Sequence, residues 1–251
     1  MKRLRPFAGL FPIFYRELLV IRTRMPKQLF SWLVSPLLYF TAFTCAMGDA
    51  EVAGRPYGEF LLPGLAAMVS MTQSWAIAAD INIARFYWRT MDEFMACPLS
   101  ASGYAAGEVL AGMFRAACAC ALVLAVGRLA GIGGNLLAPG LWAALMLNAF
   151  FFASLACATA LNVRGHADQA MLANFVIAPM GFLGGTFFPL DRLPAWAGDI
   201  LRLLPLPHAA RAMRDASAGL PVSLPGLAGL AAGGVLAFLW AVASVRKVRE
   251  Q

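Results

Sequence analysis

The stretch Gly184–Ala216, GGTFFPLDRLPAWAGDILRLLPLPHAARAMRDA, lies between two charge-free apolar runs and resembles neither of them. Its prolines prevent one straight helix from covering it; they are Pro189, Pro194, Pro205 and Pro207. Apolar residues recur at helical spacing, with Asp199 and Arg202 elsewhere on the turn. This pattern predicts short amphipathic helices at a membrane face, although a loop packed on its own helix bundle would fit it equally well.

The composition of the whole chain places this stretch in a membrane protein. Of 251 residues, 61% are hydrophobic and 13% are charged, about half the usual charged share of a soluble domain. Such a chain cannot supply the polar surface that a soluble protein needs. A transmembrane barrel would show short alternating segments instead of long apolar runs. We therefore predict an all-α, multi-pass membrane protein.

Six apolar runs are long enough to cross a bilayer, which takes roughly 20 residues. They cover residues 28–48, 58–80, 103–127, 136–162, 169–190 and 221–245. Residues 1–27 form a basic amphipathic pattern, which predicts an interfacial helix on the membrane surface. Residues 81–102 form a charged amphipathic loop, and residues 187–216 form the short helices between the fifth and sixth spans.

The positive charges indicate an orientation. The net charge of +7 comes from residues clustered at the ends of apolar runs, which argues against nucleic acid as a partner. The side that carries both termini and the loops 81–102 and 164–168 holds thirteen Lys and Arg residues, against six on the other side. The positive-inside rule then predicts that both termini lie in the cytosol. The Gly184–Ala216 stretch would lie outside.

The residue patterns indicate transport rather than catalysis. None of the three lysines follows a glycine, so a nucleotide-binding P-loop is absent from the sequence. The two histidines and five cysteines lack metal-ligand spacing, and an intramembrane enzyme would need paired His, Asp or Glu residues in its spans. We expect no catalytic residue, metal or cofactor in this chain, so that ATP and magnesium would be bound by a partner.

Two charged features leave alternatives open. Glu108 and Arg115 lie two turns apart on one face of the third span, where charges usually pair. A structural pair or a contact with the cytosolic helices is favoured over contact with a substrate. The segment 81–100 has an apolar stripe, Ala84, Tyr87, Trp88, Met91, Phe94 and Met95. It could be a solvated loop helix or a docking helix for a cytosolic subunit.

Three local patterns together resemble one family. Residues 184–194, GGTFFPLDRLP, resemble the pattern (S/G)GTFFPxxxLP, and residues 204–208, LPLPH, followed by Arg211 and Arg214, resemble LPLTH…R. In the loop, residues 89–93 and 98–100 resemble GTLE…TPLS. The chain is similar to the ABC-2 type permeases, the membrane subunits of ATP-binding-cassette exporters, above all those that export drugs and nodulation factors.

The resemblance implies a six-span fold in a bacterial inner membrane and a permease dimer, taken here as a homodimer, bound to two ATPase subunits. It also implies that the loop after the second span is a coupling helix. Residues then expected at the ATPase are Arg16, Arg22, Arg85, Arg89, Asp92, Glu93 and Pro98. Residues expected at an outer gate are Phe187, Phe188, Pro189, Pro194, Trp196 and His208.

The apolar spans suggest the cargo. Side chains that could line a path are Phe40, Phe43, Met71, Trp75, Asn174 and Phe175. An apolar path favours a hydrophobic or amphipathic molecule such as a drug, a lipid or a lipo-oligosaccharide. Export of lipid-linked polysaccharide is the alternative, and an intramembrane lipid-modifying enzyme is the remaining hypothesis from another class.

Overall fold

The computed structural model describes residues 7–48, 50–52, 54–189 and 194–249. The described chain is mainly helical. Its strands form a short hairpin, in which β1 (Glu51–Val52) pairs antiparallel with β2 (Arg55–Pro56). The helices in chain order are α1 (Leu10–Met47), α2 (Tyr57–Trp75), α3 (Ile77–Asn82), α4 (Thr90–Ala96), α5 (Ala101–Leu129), α6 (Pro139–Asn162), α7 (His166–Leu172), α8 (Ala178–Leu183), α9 (Ala195–Arg202), α10 (Pro205–Ser217) and α11 (Leu224–Arg249). Single π-helical turns, Ile83–Tyr87 and Ala173–Ile177, follow α3 and α7.

Five helical segments of the described chain are long and apolar enough to cross a membrane, which confirms the all-α multi-pass prediction. They are Lys27–Met47, Tyr57–Tyr87, Ala101–Leu129, Pro139–Asn162 and Leu224–Arg249. The run from α7 to α8, where the fifth of six spans was expected, is not among them. It starts with the polar residues His166, Asp168 and Gln169 and ends at Leu183. The number of six spans therefore stays a prediction.

The structure differs from the expected division between an interfacial helix and the first span. No break separates them, because α1 runs unbroken for 38 residues. At 1.5 Å per residue it is about 57 Å long, nearly twice the roughly 30 Å of the hydrocarbon core. The basic N-terminal half of α1 is thus a direct extension of the spanning half.

The centre of the bundle is α6, which packs against α2, α3, α5, α10 and α11. Polar side chains join these helices: Asn148 Nδ2 on α6 donates to Ser70 Oγ on α2 at 2.6 Å and to Ala67 O at 3.1 Å. Asn162 Nδ2 donates to Ser244 Oγ on α11 at 2.6 Å. Membrane helices lack a hydrophobic drive to associate, so such hydrogen bonds and close packing hold them together.

We expect Asn148→Ala to lower the free energy of unfolding of the detergent-solubilised protein by about 1–2 kcal/mol, since it removes two interhelical hydrogen bonds of a fully buried side chain. Denaturant unfolding followed by tryptophan fluorescence measures the change. Asn135→Ala, in the exposed loop before α6, is the matched control and should leave stability unchanged. Equal effects of the two substitutions would contradict the role given to Asn148.

Candidate functional site

At the end of the bundle that holds both termini, one arginine joins three helices. Arg16 Nη2 on α1 donates to Glu108 Oε1 on α5 at 2.9 Å, and Arg16 also pairs with its neighbour Glu17. Its guanidinium lies over the Phe94 ring of α4, 4.6 Å from the centroid. Glu17 and Glu108 are buried. Arg16, expected at the ATPase surface, is therefore used mainly to tie α1, α4 and α5 together.

This geometry resolves the alternatives for the two charges of the third span. Glu108 contacts the N-terminal helix, while Arg115 Nη2 donates to Asp80 Oδ2 on α3 at 2.7 Å. Glu108 and Arg115 do not pair with each other. Both intramembrane charges instead bind a partner on a neighbouring helix, which is the usual solution for charges at this depth.

Arg85 of the expected docking set has a structural contact. It belongs to the π-helical turn that ends the second span, and its Nη1 donates to the carbonyls of Ala160, Leu161 and Val163 at 3.2, 2.9 and 3.1 Å. These carbonyls lie at the C-terminal end of α6, where no further helical N–H is available. Arg85 therefore caps α6, and its role in docking stays a prediction.

The predicted amphipathic segment 81–100 is not one helix. It breaks at Trp88 and Arg89, and Arg89 adopts a left-handed backbone with φ of 52°. The GTLE pattern has a glycine at this position, which the left-handed conformation favours. Ala84 and Met91 are buried, whereas Tyr87 and Trp88 are exposed. The stripe is thereby divided between the bundle and the surface.

Four of the expected docking residues are exposed at this end: Arg22, Arg89, Glu93 and Pro98. Asp92 lies on α4, but its side chain is outside the described part of the structure. The loop after α4 is anchored on two sides. Ser100 N donates to Ala8 O at 2.9 Å, and Arg249 Nη1 from α11 donates to Leu99 O at 2.9 Å. The exposed Glu93 therefore lies on a helix whose following loop is hydrogen-bonded to residues near both ends of the chain.

At the opposite end, Arg214 of α10 holds the GGTFF turn. Its Nη2 donates to Gly185 O at 2.6 Å and to Thr186 O at 2.9 Å, and its Nε donates to Phe60 O on α2 at 2.9 Å. The guanidinium also lies 3.8 Å from the Phe60 ring centroid. Burial lowers the pKa of Arg214 to about 9, so the side chain remains a cation at neutral pH.

A second hydrogen bond fixes the same turn, from Tyr57 Oη on α2 to Phe187 O at 2.8 Å. Sequence reasoning missed Tyr57 as a functional residue and placed Arg214 only as the last residue of a motif. No spacing links residues 57, 186 and 214, so only the packing of α2 against α10 shows that they meet.

The expected gate and path residues separate into three groups. Phe187 is buried and stacks on Phe43, with ring centroids 4.4 Å apart, and Tyr39 and Phe182 complete this aromatic cluster. Met71 and Trp75 are buried in the protomer core, so they do not line an open path in this protomer. The exposed members are Asn174, Phe175, Pro194 and Trp196, and the half-buried ones are Phe40, Phe188, Pro189 and His208.

Two short helices, α9 and α10, occupy residues 195–217, as the proline pattern predicted. His208 Nε2 lies 2.7 Å from Arg202 O and so joins α10 to the end of α9. Beside them is a cavity of about 720 Å³, here called the outer cavity. Its walls include the start of α2, the turn 184–189, α10 and the loop after it.

Comparison with known proteins now adds the family. The model of the ABC-2 type transporter family matches residues 10–217. The chain belongs to the ABC-2 type transporter family. Residues 10–217 include the Arg16 contact, α4, the GGTFF turn and Arg214, so the matched region covers both ends of the bundle described above.

Three relatives support the same conclusion. Nodulation protein J of Neorhizobium galegae is 27% identical over 84% of this chain and 81% of its own length. Inner membrane transport permease YadH of Escherichia coli K12 is 24% identical over 72% of each chain. Daunorubicin resistance ABC transporter permease protein DrrB1 of Streptomyces coeruleorubidus is 28% identical over 76% of this chain and 68% of its own.

The function at this level follows from the family. The chain is the multi-pass inner-membrane permease subunit of an ABC exporter. Permeases of this family work with an ATPase subunit, which defines the kind of partner.

Gly64 on α2 makes the Arg214 contacts possible. A Cβ there would overlap Arg214 Nη2 and lie 2.7 Å from Thr186 O. We expect Gly64→Ala to lower the free energy of unfolding of the permease by about 1–3 kcal/mol, because the added methyl displaces a buried guanidinium. Denaturant unfolding in detergent measures this.

The matched control for Gly64→Ala is Gly229→Ala on α11, where a Cβ meets nothing within 4 Å. It should leave stability unchanged or raise it by up to about 1 kcal/mol, since alanine favours a helix over glycine. A Gly64→Ala protein as stable as the wild type would show that the Arg214 contacts are not tightly packed.

Proposed function

We propose that this permease forms a homodimer with two ATPase subunits, which bind where the N-terminal half of α1, α4 and the end of α11 come together. Exposed charges support this placement: Arg22 on α1, Arg89 just before α4 and Glu93 on α4 all lie at the surface. The excess of Lys and Arg residues at this end supports a cytosolic location for it and for both termini. ATP and magnesium are then held by the ATPase, and this chain carries no cofactor.

The Arg16 contact is the observation that carries the mechanism. ATP binding draws the two ATPase subunits together and displaces α4. Because Arg16 contacts Phe94 of α4 and pairs with Glu108 of α5, the displacement acts on α1 and α5 together. Transport needs no catalytic side chain here, only a difference in stability between two arrangements of the spans.

The cargo of this exporter is proposed to be hydrophobic or amphipathic, carried along the interface between two permeases. Apolar side chains exposed on α1 and on the run from α7 to α8 support such a path, among them Phe30, Leu38 and Phe175. The name of the Streptomyces relative, a daunorubicin resistance permease, favours a drug-like molecule. Lipid-linked polysaccharide is the alternative cargo. In either case the segment 187–216 acts as an outer gate.

Charge reversal on α4 tests the docking surface. We expect Glu93→Arg to weaken binding of the cognate ATPase at least about tenfold. The reversal replaces attraction between Glu93 and a basic group of the ATPase by repulsion between like charges. Co-purification and surface-immobilised titration with the ATPase measure it. Glu51→Arg, an exposed glutamate at the other end of the bundle, is the matched control. If both variants bound the ATPase with equal affinity, the docking site would not include Glu93 of α4.

The double substitution Arg16→Gln and Glu108→Gln tests coupling separately from docking. It removes both charges of this pair at nearly constant volume, which avoids leaving Glu108 as an unpaired buried charge, while Glu17, the other partner of Arg16, keeps its carboxylate. We expect the ATPase to bind with unchanged affinity while cargo transport per ATP hydrolysed falls several-fold, measured in proteoliposomes. The charge-removing control, Glu51→Gln and Arg128→Gln at exposed positions outside this contact and outside the segment 187–216, should not alter this ratio. Full coupling in the double variant would refute the role of Arg16.

A further inference from the structure

The outer cavity carries more positive than negative charge. Among the described residues that line it, the charged ones are Arg55, Arg202, Arg211, Arg214, Glu59 and Asp215. Leaving out Arg202, which has a further partner, three described guanidinium groups share a volume of about 720 Å³ with two described carboxylates. Such an excess inside a concave, partly apolar wall raises the positive potential and favours an anionic occupant.

Arg214 is built into the cavity wall as a fixed donor. Its Nε and Nη2 are held by the carbonyls of Phe60, Gly185 and Thr186. Its Nη1 makes no hydrogen bond to any described residue and is not among the fully enclosed nitrogen atoms of the described chain. These three acceptors are neutral carbonyls. The wall therefore presents a rigid cation with one nitrogen available to a ligand.

Two other arginines at the rim are only weakly engaged. Arg211 Nε lies 4.0 Å from Asp215 Oδ2, and the Arg211 side chain is 79% exposed. Arg55 Nη2 donates to Ala218 O at a long 3.3 Å. Both side chains line the cavity and have further N–H donors, so they can bind the same anion as Arg214.

The neighbouring helix indicates where such an anion would come from. On α9 the apolar side chains of Trp196, Ile200 and Leu203 are 71%, 57% and 85% exposed, while Asp199 and Arg202 occupy another face. A short amphipathic helix of this kind lies in the boundary between headgroups and acyl chains. The cavity beside it would then open at the level of lipid phosphates.

We propose that the outer cavity binds a phosphate group, carried by the headgroup of an anionic lipid. Guanidinium forks match phosphate oxygens in geometry and charge. Arg55 of β2 and Arg211 and Arg214 of α10 line this space. Pro189 and Pro207 provide apolar wall next to the charges. The site depends on the outer cavity alone and not on the proposed ATPase docking or cargo.

The test is calorimetric titration of the full-length permease in a neutral detergent. The three ligands are dihexanoyl phosphatidylglycerol, dihexanoyl phosphatidylcholine and sodium phosphate. We expect saturable binding of one phosphatidylglycerol per protomer, weakened at least about tenfold by Arg211→Ala, which is the scale of one lost charge-assisted hydrogen bond. Arg128→Ala removes an exposed arginine that does not line the outer cavity, and it should bind as the wild type does.

The three ligands distinguish the sources of the phosphate. Phosphatidylglycerol binding more tightly than sodium phosphate supports a lipid headgroup, and the reverse supports the same site with a soluble phosphate as its ligand. Phosphatidylcholine binding as tightly as phosphatidylglycerol would overturn the proposal. So would the absence of saturable binding by both phosphate ligands, or equal losses in Arg211→Ala and Arg128→Ala. Because Arg211 is exposed, its loss should leave the unfolding transition unchanged, and the same samples verify this.

Discussion

The Arg214 guanidinium donates to carbonyls of α2 and of the GGTFF turn, and the outer end of the permease depends on those hydrogen bonds. A backbone that leaves helical geometry at or near a bilayer has carbonyls without helical partners, and each unsatisfied group is costly. The double glycine that ends α8 creates such carbonyls at Gly185 and Thr186. One side chain with several donors satisfies them and at the same time fastens α10 to α2.

The same solution recurs at the other end of the bundle. Arg85 donates to the last carbonyls of α6, and Arg249 donates to Leu99 O in the loop after α4. Arginine suits this task because its planar group carries five donors and stays charged. Several basic residues that a charge count assigns to orientation or to partner binding are therefore structural. Exposed ones such as Arg22 and Arg89 are available to an ATPase.

The two ends also differ in what they can transmit. At the end that holds both termini, charge pairs join α1 to α5 and α3 to α5, so these helices are tied to one another. At the opposite end, the aromatic cluster around Phe187 packs α1 against the turn after α8 through Tyr39 and Phe43. Because α1 is one continuous helix, it connects the Arg16 contact directly to that cluster. This connection supports the proposed route from ATPase docking to an outer gate.

The sequence by itself determined the class of protein, the short helices at residues 195–217 and the family, because apolar run length, proline positions and local motifs are properties of contiguous residues. It also indicated that Glu108 and Arg115 would find partners inside the protein. Only the tertiary structure decided which partners: Arg16 and Asp80 lie 92 and 35 residues away, and no periodicity relates them. The roles of Arg85, Tyr57 and Arg214 were hidden for the same reason. A side chain that satisfies a distant carbonyl leaves no pattern in its own neighbourhood, since the need arises where another helix ends.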